Sequence, residues 1–439
     1  MNVRRPARAK DAAALAALAA LLAVLPALSG CAAKDSRTTL RFWGMGREGE
    51  VVAKLIEGFE REHPGVHVIV QQIPWSAAHE KLLTAYVGRS TPDVSQLGNT
   101  WVPEFAALEA IEPLESWLDG AAFDSSAFFR GIWDTNVIDG RPFGVPWYVD
   151  TRVLFYRRDL LKRAGYDAMP QDWAGWVEAM RAVKRVVGKD NYPVFLPLNE
   201  WNPPVIFGLQ AGSPLLRDGG TRAAFRDSAF RAGFDFYLRL FREGLAPPVT
   251  GNEIANVYQE FSRGYVTMWI TGPWNLGEFR RRLPPEEQDS WATAPLPGPR
   301  GADSGVSLAG GSSLVMFRGS KHKREAWALV EYLSRPEVQL EFWRLTGNLP
   351  GRIEAWRDTG LTADPNTRAF GVQLERVVAM PKVPEIEQIA MRLQDWVERA
   401  VRGSVTPDRA LASLSAEVDR MLEKRRWLRE HGKIPGGTP

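Results

Sequence analysis

Tyr148 and Asp150 lie two positions apart in the run Gly144-Val145-Pro146-Trp147-Tyr148-Val149-Asp150-Thr151-Arg152-Val153-Leu154-Phe155-Tyr156. Side chains alternate along a strand, so both point to one side of this segment and into whatever gap lies there. Glu48 supplies a second carboxylate. With Asp150 it could form an acid/base pair at a glycosidic bond if the two were held roughly 5–10 Å apart. Other catalytic constellations are missing from the sequence. His63, His67, His79, His322 and His431 lack metalloprotease spacing, and Gly311-Ser312-Ser313-Leu314 is not a G-x-S-x-G elbow. Cys31 is the only cysteine, which excludes an intramolecular disulfide and a cysteine-held metal cluster. No cofactor and no metal are expected. Two separated carboxylates argue weakly for catalysis, so binding is the first reading.

A gap needs two walls. At 439 residues, 45% hydrophobic and 24% charged, the chain exceeds what one core usually supports. Pro146 cannot donate to a sheet, so the backbone is expected to leave one sheet there and enter another at residues 153–156. A strand at 39–43, a helix carrying Val51, Val52, Leu55, Ile56 and Phe59, and the alternating Val66, Val68 and Val70 predict a β-α-β start with parallel strands. A helix at 77–87 and a strand at 94–97 extend it. Ligands of such sheets bind at the carboxyl ends of the strands. Those ends carry Trp43 and Glu48 on one side and Asn99 and Trp101 on the other.

Helices are predicted at 158–164, 172–187, 229–243 and 253–263, with Trp201 between two of them. A strand at 266–270 runs into Trp274, and the Pro/Gly-rich residues 295–301 return the chain to the first wall. There Gly310 and Gly311 permit close backbone approach. A helix at 325–333 precedes the turn-rich segment that carries Arg352, and helices at 366–378, 386–401 and 407–424 cover the second wall. Gly44-Met45-Gly46-Arg47-Glu48-Gly49 fits G-x-G-x-x-G, but a dinucleotide site would want an acidic residue some twenty positions on, where Gln71 and Gln72 stand.

The formal charge is +3. Residues 1–30 hold Arg4, Arg5, Arg8, Lys10 and Asp11, and without them 51 basic and 51 acidic residues remain. A balanced chain has no overall basic field for nucleic acid. The same residues form a positive segment, an Ala/Leu-rich stretch at 12–25 and then Leu28-Ser29-Gly30-Cys31. This resembles a bacterial lipoprotein signal peptide. It implies cleavage before Cys31, lipidation of that cysteine, and an exported protein tethered by residues 31–38.

Taken in order, Phe42-Trp43 with Glu48, Pro92-Asp93-Val94, Trp101 to Phe105, Tyr148-x-Asp150, Gly272-Pro273-Trp274, Gly310-Gly311, Pro350-Gly351-Arg352 and Met380-Pro381-Lys382-Val383-Pro384 resemble the family 1 extracellular solute-binding proteins of bacterial ABC importers, the maltose- and trehalose-binding branch in particular. The resemblance implies an α/β, two-lobed periplasmic-binding-protein fold of type II, with discontinuous lobes at 39–146 plus 302–349 and 147–301 plus 350–434. Hinges would lie near 145–150, 295–301 and 347–352, and residues 435–439 would be a tail. It implies a monomer that closes on a sugar and hands it to permease subunits driven by a cytoplasmic ATPase. Glu48, Tyr148, Asp150, Trp274, the Gly310-Gly311 backbone and Arg352 are the ligand contacts it suggests; Trp43, Asn99, Trp101 and Trp201 are added from their positions. Sugars need hydrogen-bonding groups around their hydroxyls and flat aromatic faces against their C–H faces. Two departures stand out. Ser312 follows the glycine pair where relatives often carry Trp, and residues 386–391 hold no aromatic, so few stacking platforms and a short ligand are expected. Alternative readings are a capping role for Asp150, a lobe-to-lobe salt bridge for Arg352, a non-sugar solute, and an exported carbohydrate-active enzyme.

Overall fold

The computed structural model describes residues 37–434. The signal-like segment, Cys31 and the tail at 435–439 lie outside the described residues. The chain opens with β1 (Thr38–Met45), α1 (Gly46–Glu62), β2 (Val66–Ile73), α2 (Trp75–Val87) and β3 (Val94–Gly98). β1 pairs in parallel with both β2 and β3, as the β-α-β pattern predicts. α1 buries Val51, Val52, Leu55, Ile56 and Phe59 on one face, the i, i+3/i+4 stripe of a helix lying on a sheet.

β4 (Val145–Asp150) is followed directly by β5 (Val153–Arg157). Next come α3 (Trp173–Val187), β6 (Tyr192–Phe195), α4 (Asn202–Gln210), α5 (Ser228–Arg242), β7 (Val266–Thr271), α6 (Trp274–Arg282) and β8 (Trp291–Ala294). The chain then returns through β9 (Ser307–Met316), α7 (Lys323–Leu333), α8 (Pro336–Thr346) and β10 (Leu349–Pro350), and ends with β11 (Val377–Ala379), α9 (Ile386–Val401), α10 (Pro407–Met421) and α11 (Glu423–Glu430).

Two sheets anchor two lobes. One has the order β10-β4-β9-β3-β1-β2, with β11 attached to β9; the other has the order β8-β5-β7-β6. The first lobe's core gathers Phe42, Phe59, Trp147, Leu314 and Phe342. The second gathers Trp176, Phe207, Phe234, Met268 and, from the C-terminal helices, Leu393, Leu411 and Val418. The C-terminal helices thus share one core with β7 and α3 to α5.

Pro146 does not take the chain out of the first sheet. β4 stays paired with β9 from Val145 to Asp150, and the register shifts between Ser312 and Ser313, opposite Tyr148 and Pro146. The missing N–H of proline falls at this irregularity, where a ladder bond is lost anyway. The crossing comes later, at Thr151–Arg152, where Ser307 Oγ accepts from the Arg152 N–H at 3.1 Å and donates to the Arg152 carbonyl at 2.8 Å. Two predicted helices are shorter than their patterns. The 253–263 run becomes a helix only from Val257, capped by the Asn256 side chain. The 366–378 run stops at Leu374, because Val377–Ala379 leaves it to pair with β9.

Candidate functional site

A cavity of about 580 Å³ lies between the lobes. The carboxyl end of β1 delivers Glu48, in the first turn of α1. The carboxyl end of β2 delivers Trp75, the first residue of α2, and that of β3 delivers Asn99 and Trp101. Tyr148 and Asp150 come from β4, and Gly310 and Gly311 from β9 beside it. The opposite wall carries Trp201, just ahead of α4, Trp274, which begins α6 after Gly272-Pro273, and Met380 and Glu387 near the start of α9.

Glu48 is buried. Its Oε1 accepts from Asn348 Nδ2 at 2.7 Å, and its Oε2 accepts from the Trp75 indole N–H at 3.4 Å. Trp75 and Trp101 meet edge to face with centroids 5.7 Å apart. Behind them His79 packs against Trp101 and shares a 2.6 Å hydrogen bond with Glu104, which raises its pKa above the usual histidine value. The Tyr148 hydroxyl accepts from Gln96 Nε2 at 3.1 Å and from Ser312 Oγ at 3.0 Å, leaving its own O–H as a donor. Burial, with the Glu48 charge adding to it, pushes this phenol well above its ordinary pKa, so it stays neutral.

Asp150 pairs with Arg152, and the Arg152 guanidinium lies over the Trp274 ring, 4.6 Å from its centroid. Trp274 itself is 40% exposed. Gly272 makes room for it, since a Cβ there would stand 2.0 Å from the ring's Cζ3. Gly311, at φ +126°, sits so close to β4 that a Cβ would come within 2.2 Å of the Tyr148 carbonyl oxygen. Across the mouth, the Thr100 hydroxyl donates to Glu387, joining the two walls.

The cavity therefore offers four indoles, three carboxylates, three side-chain amides and the guanidiniums of Arg47 and Arg152. Such a lining suits an uncharged, polyhydroxylated ligand with apolar ring faces. It gives no sign of a phosphate cradle: the start of α1, where a dinucleotide would place its pyrophosphate, is already occupied by the Glu48 carboxylate. Residues 45–340 match the family of bacterial extracellular solute-binding proteins. The chain belongs to that family.

Solute-binding proteins of known structure share its fold across nearly their whole length. The sugar-binding protein MalE of Xanthomonas citri is 49% identical with a TM-score of 0.87, covering 90% of this chain and 99% of that one. An ABC transporter solute-binding protein from Thermotoga lettingae, solved with α-D-tagatose bound, is 26% identical with a TM-score of 0.73, covering 88% of this chain and all of the other. In sequence, a lipoprotein encoded in the oleD 5′ region of Streptomyces antibioticus is 28% identical over 79% of this chain and 78% of that protein.

Of the expected ligand contacts in this solute-binding protein, Glu48, Asn99, Trp101, Tyr148, Asp150, Trp201, Trp274, Gly310 and Gly311 line the cavity. Trp43 and Arg352 do not. Trp43 lies within β1 with the parity of Met45, and it is buried with Met45, Ile73, Ala78 and Leu82 under α2, with Lys81 over its ring. Arg352 is 8% exposed. Its guanidinium lies over Phe123 and Phe128 and donates from Nη1 to the Ser334 carbonyl at 3.3 Å. The nearest carboxylate, Glu354, is 3.9 Å away. Burial lowers the Arg352 pKa from its usual value. Arg352 thus fixes the turn after β10, and it bridges no lobes.

Sequence reasoning missed Arg47, Trp75, Arg152, Asn348 and Glu387, which also line the cavity or hold Glu48. Two of these were within reach. Trp75 follows the carboxyl end of β2, where the strand-end rule places ligands, and one more step of the Tyr148-Asp150 alternation arrives at Arg152. With Trp75 in place of Trp43, four indoles line the cavity, as many as were expected from the sequence.

Proposed function

We propose that this protein is the extracytoplasmic substrate-binding component of an ABC importer, that its ligand is a sugar of one to a few rings, and that it delivers this sugar to membrane permease subunits coupled to a cytoplasmic ATPase. The observation that carries the reading is the placement of four indoles, Trp75, Trp101, Trp201 and Trp274, around one cavity with Glu48, Asp150 and Glu387 among them. Flat rings stack on sugar C–H faces while carboxylates accept from hydroxyls. The sugar-binding protein of X. citri and the tagatose complex from T. lettingae support the ligand class. In this reading the protein is a monomer that binds its sugar and releases it unchanged.

Closure would occur by rotation of the lobes about the strands that cross between them. We place these crossings at Thr151–Arg152, at the approach to Ser307 and after Pro350, each just past a sheet boundary. A thermal-shift screen of the mature protein against a sugar panel should find a ligand that raises the melting temperature, since binding only the native state stabilises it by mass action. Small-angle scattering should then show a smaller radius of gyration with that ligand. A radius unchanged at saturation would remove the hinge, and an empty screen across mono- to tetrasaccharides would remove the sugar.

In the same reading, Cys31 carries a lipid that holds the protein to the outer face of a membrane, and residues 1–30 are removed. The lipoprotein from S. antibioticus supports this. Cys31→Ser should yield protein that partitions into the aqueous phase on detergent extraction, whereas the parent chain partitions with detergent. Recovery of the parent with residues 1–30 intact and an unmodified thiol would overturn it.

A further inference from the structure

We propose that Arg152 is a displaceable cap on Trp274, seated where the sugar must stack, and that it thereby sets which sugars can enter. The proposal rests on the sugar reading above. The guanidinium lies over the indole at 4.6 Å from its centroid and is paired with Asp150, while all three side chains line the same cavity. Only 14% of the Arg152 side chain is exposed, so the guanidinium is largely enclosed at the ring. A planar cation on an aromatic face uses the same π surface that a sugar's C–H face would use.

Part of the six-membered ring is also taken. A Cβ on Gly272 would lie between 2.0 and 2.6 Å from three consecutive atoms of the six-membered ring, so the indole rests on that backbone. A ligand that stacks on the face under the guanidinium and bonds to Asp150 therefore takes both from Arg152. Somewhere must receive the displaced guanidinium. Glu200, one residue before Trp201, makes no ion pair among the described residues. Burial raises its pKa, and Arg152 is the cation whose field draws it back down, with Asp150 opposing. In this proposal Glu200 is the carboxylate that receives the displaced guanidinium. Only a sugar offering both an apolar ring face and a hydroxyl donor replaces what Arg152 gives up on leaving. Specificity then comes from an internal competitor as well as from ligand contacts.

The test compares the parent with Arg152→Ala and Arg152→Lys, using maltose as the probe in calorimetric titration. The indole N–H resonance of Trp274, assigned by its loss in Trp274→Phe, is followed by NMR. Without sugar, Arg152→Ala should shift the Trp274 resonance, and maltose should shift it in the parent. Maltose affinity should rise about three- to tenfold in Arg152→Ala, and by less in Arg152→Lys, which keeps the charge but not the flat face. The Lys variant also keeps the test open if the Ala variant fails to fold. A Trp274 resonance identical in parent and folded variants would overturn the cap. So would a more than threefold loss of maltose affinity, which would make Arg152 a ligand contact. If maltose binds to neither protein, the sugar reading fails for that probe, and the unliganded resonance alone decides the cap.

Discussion

Trp274→Ala is expected to weaken binding of the sugar found in the screen by at least about thirtyfold, with the melting temperature of the unliganded protein almost unchanged. The indole begins α6 at a strand-to-helix turn, it is 40% exposed, and it projects into the cavity opposite Glu48 and Tyr148. Its removal leaves no internal void, so the fold loses little. The ligand loses a flat apolar face at the centre of its site. Truncating a central Trp commonly costs about 2 kcal/mol or more, which is about a thirtyfold loss of affinity. Calorimetric titration gives the answer directly. Affinity within about threefold of the parent, in folded protein, would take Trp274 out of the site and with it the assignment of the second wall.

The second large effect is expected on both stability and binding. Gly311→Ala places a methyl group 2.2 Å from the Tyr148 carbonyl oxygen and 3.0 Å from Val149 Cα, at a φ of +126° that L side chains rarely adopt. Backbone strain of about 1–3 kcal/mol adds to overpacking of about 1–3 kcal/mol. The variant should therefore melt several degrees lower. Because β4 must move away from β9 to admit the methyl, Tyr148 and Asp150 move with it and binding should fall below detection. Gly310→Ala is the internal control. Its Cβ would meet the Asp150 carbonyl at 2.9 Å but without positive φ, so its loss should be smaller. A Gly311→Ala protein that melts and binds like the parent would show that the β4–β9 contact has slack that its geometry denies.

Much of this molecule was legible in the sequence because its signals are local. Alternation at Val66, Val68 and Val70 sets β2, and the 3.6-residue stripe from Val51 to Phe59 sets α1. Asp172 caps α3 through a 2.8 Å bond from the Gly175 N–H, one residue from the predicted helix start. The strand-end rule and the order of short motifs brought nine of eleven proposed contacts to one cavity. Tertiary structure decided what depends on residues far apart in the chain. Pro146 looked like an exit from the sheet, and only the register shift opposite it, supplied by Ser312 and Ser313 more than 160 positions later, lets the strand continue to Asp150.

Trp43 and Arg352 belong to the same class. Each is of a type that binds sugars, yet the side of β1 that Trp43 takes is covered by α2, and Arg352 is enclosed by Phe123 and Phe128 from an earlier part of the chain. A residue type limits what a side chain can do, while burial is set by which distant element lands on it. Glu387 shows the converse: an ordinary first-turn glutamate of α9 becomes part of the site because packing carries that helix across to Thr100. The sequence alone determined the two-walled α/β architecture and the chemistry available to the cavity, since periodicity and residue type act over a few positions. Which of those groups face the ligand, and that Arg152 stands between Asp150 and Trp274, was decided by the tertiary structure, because orientation across a cleft is a property of two surfaces and is written in neither strand separately.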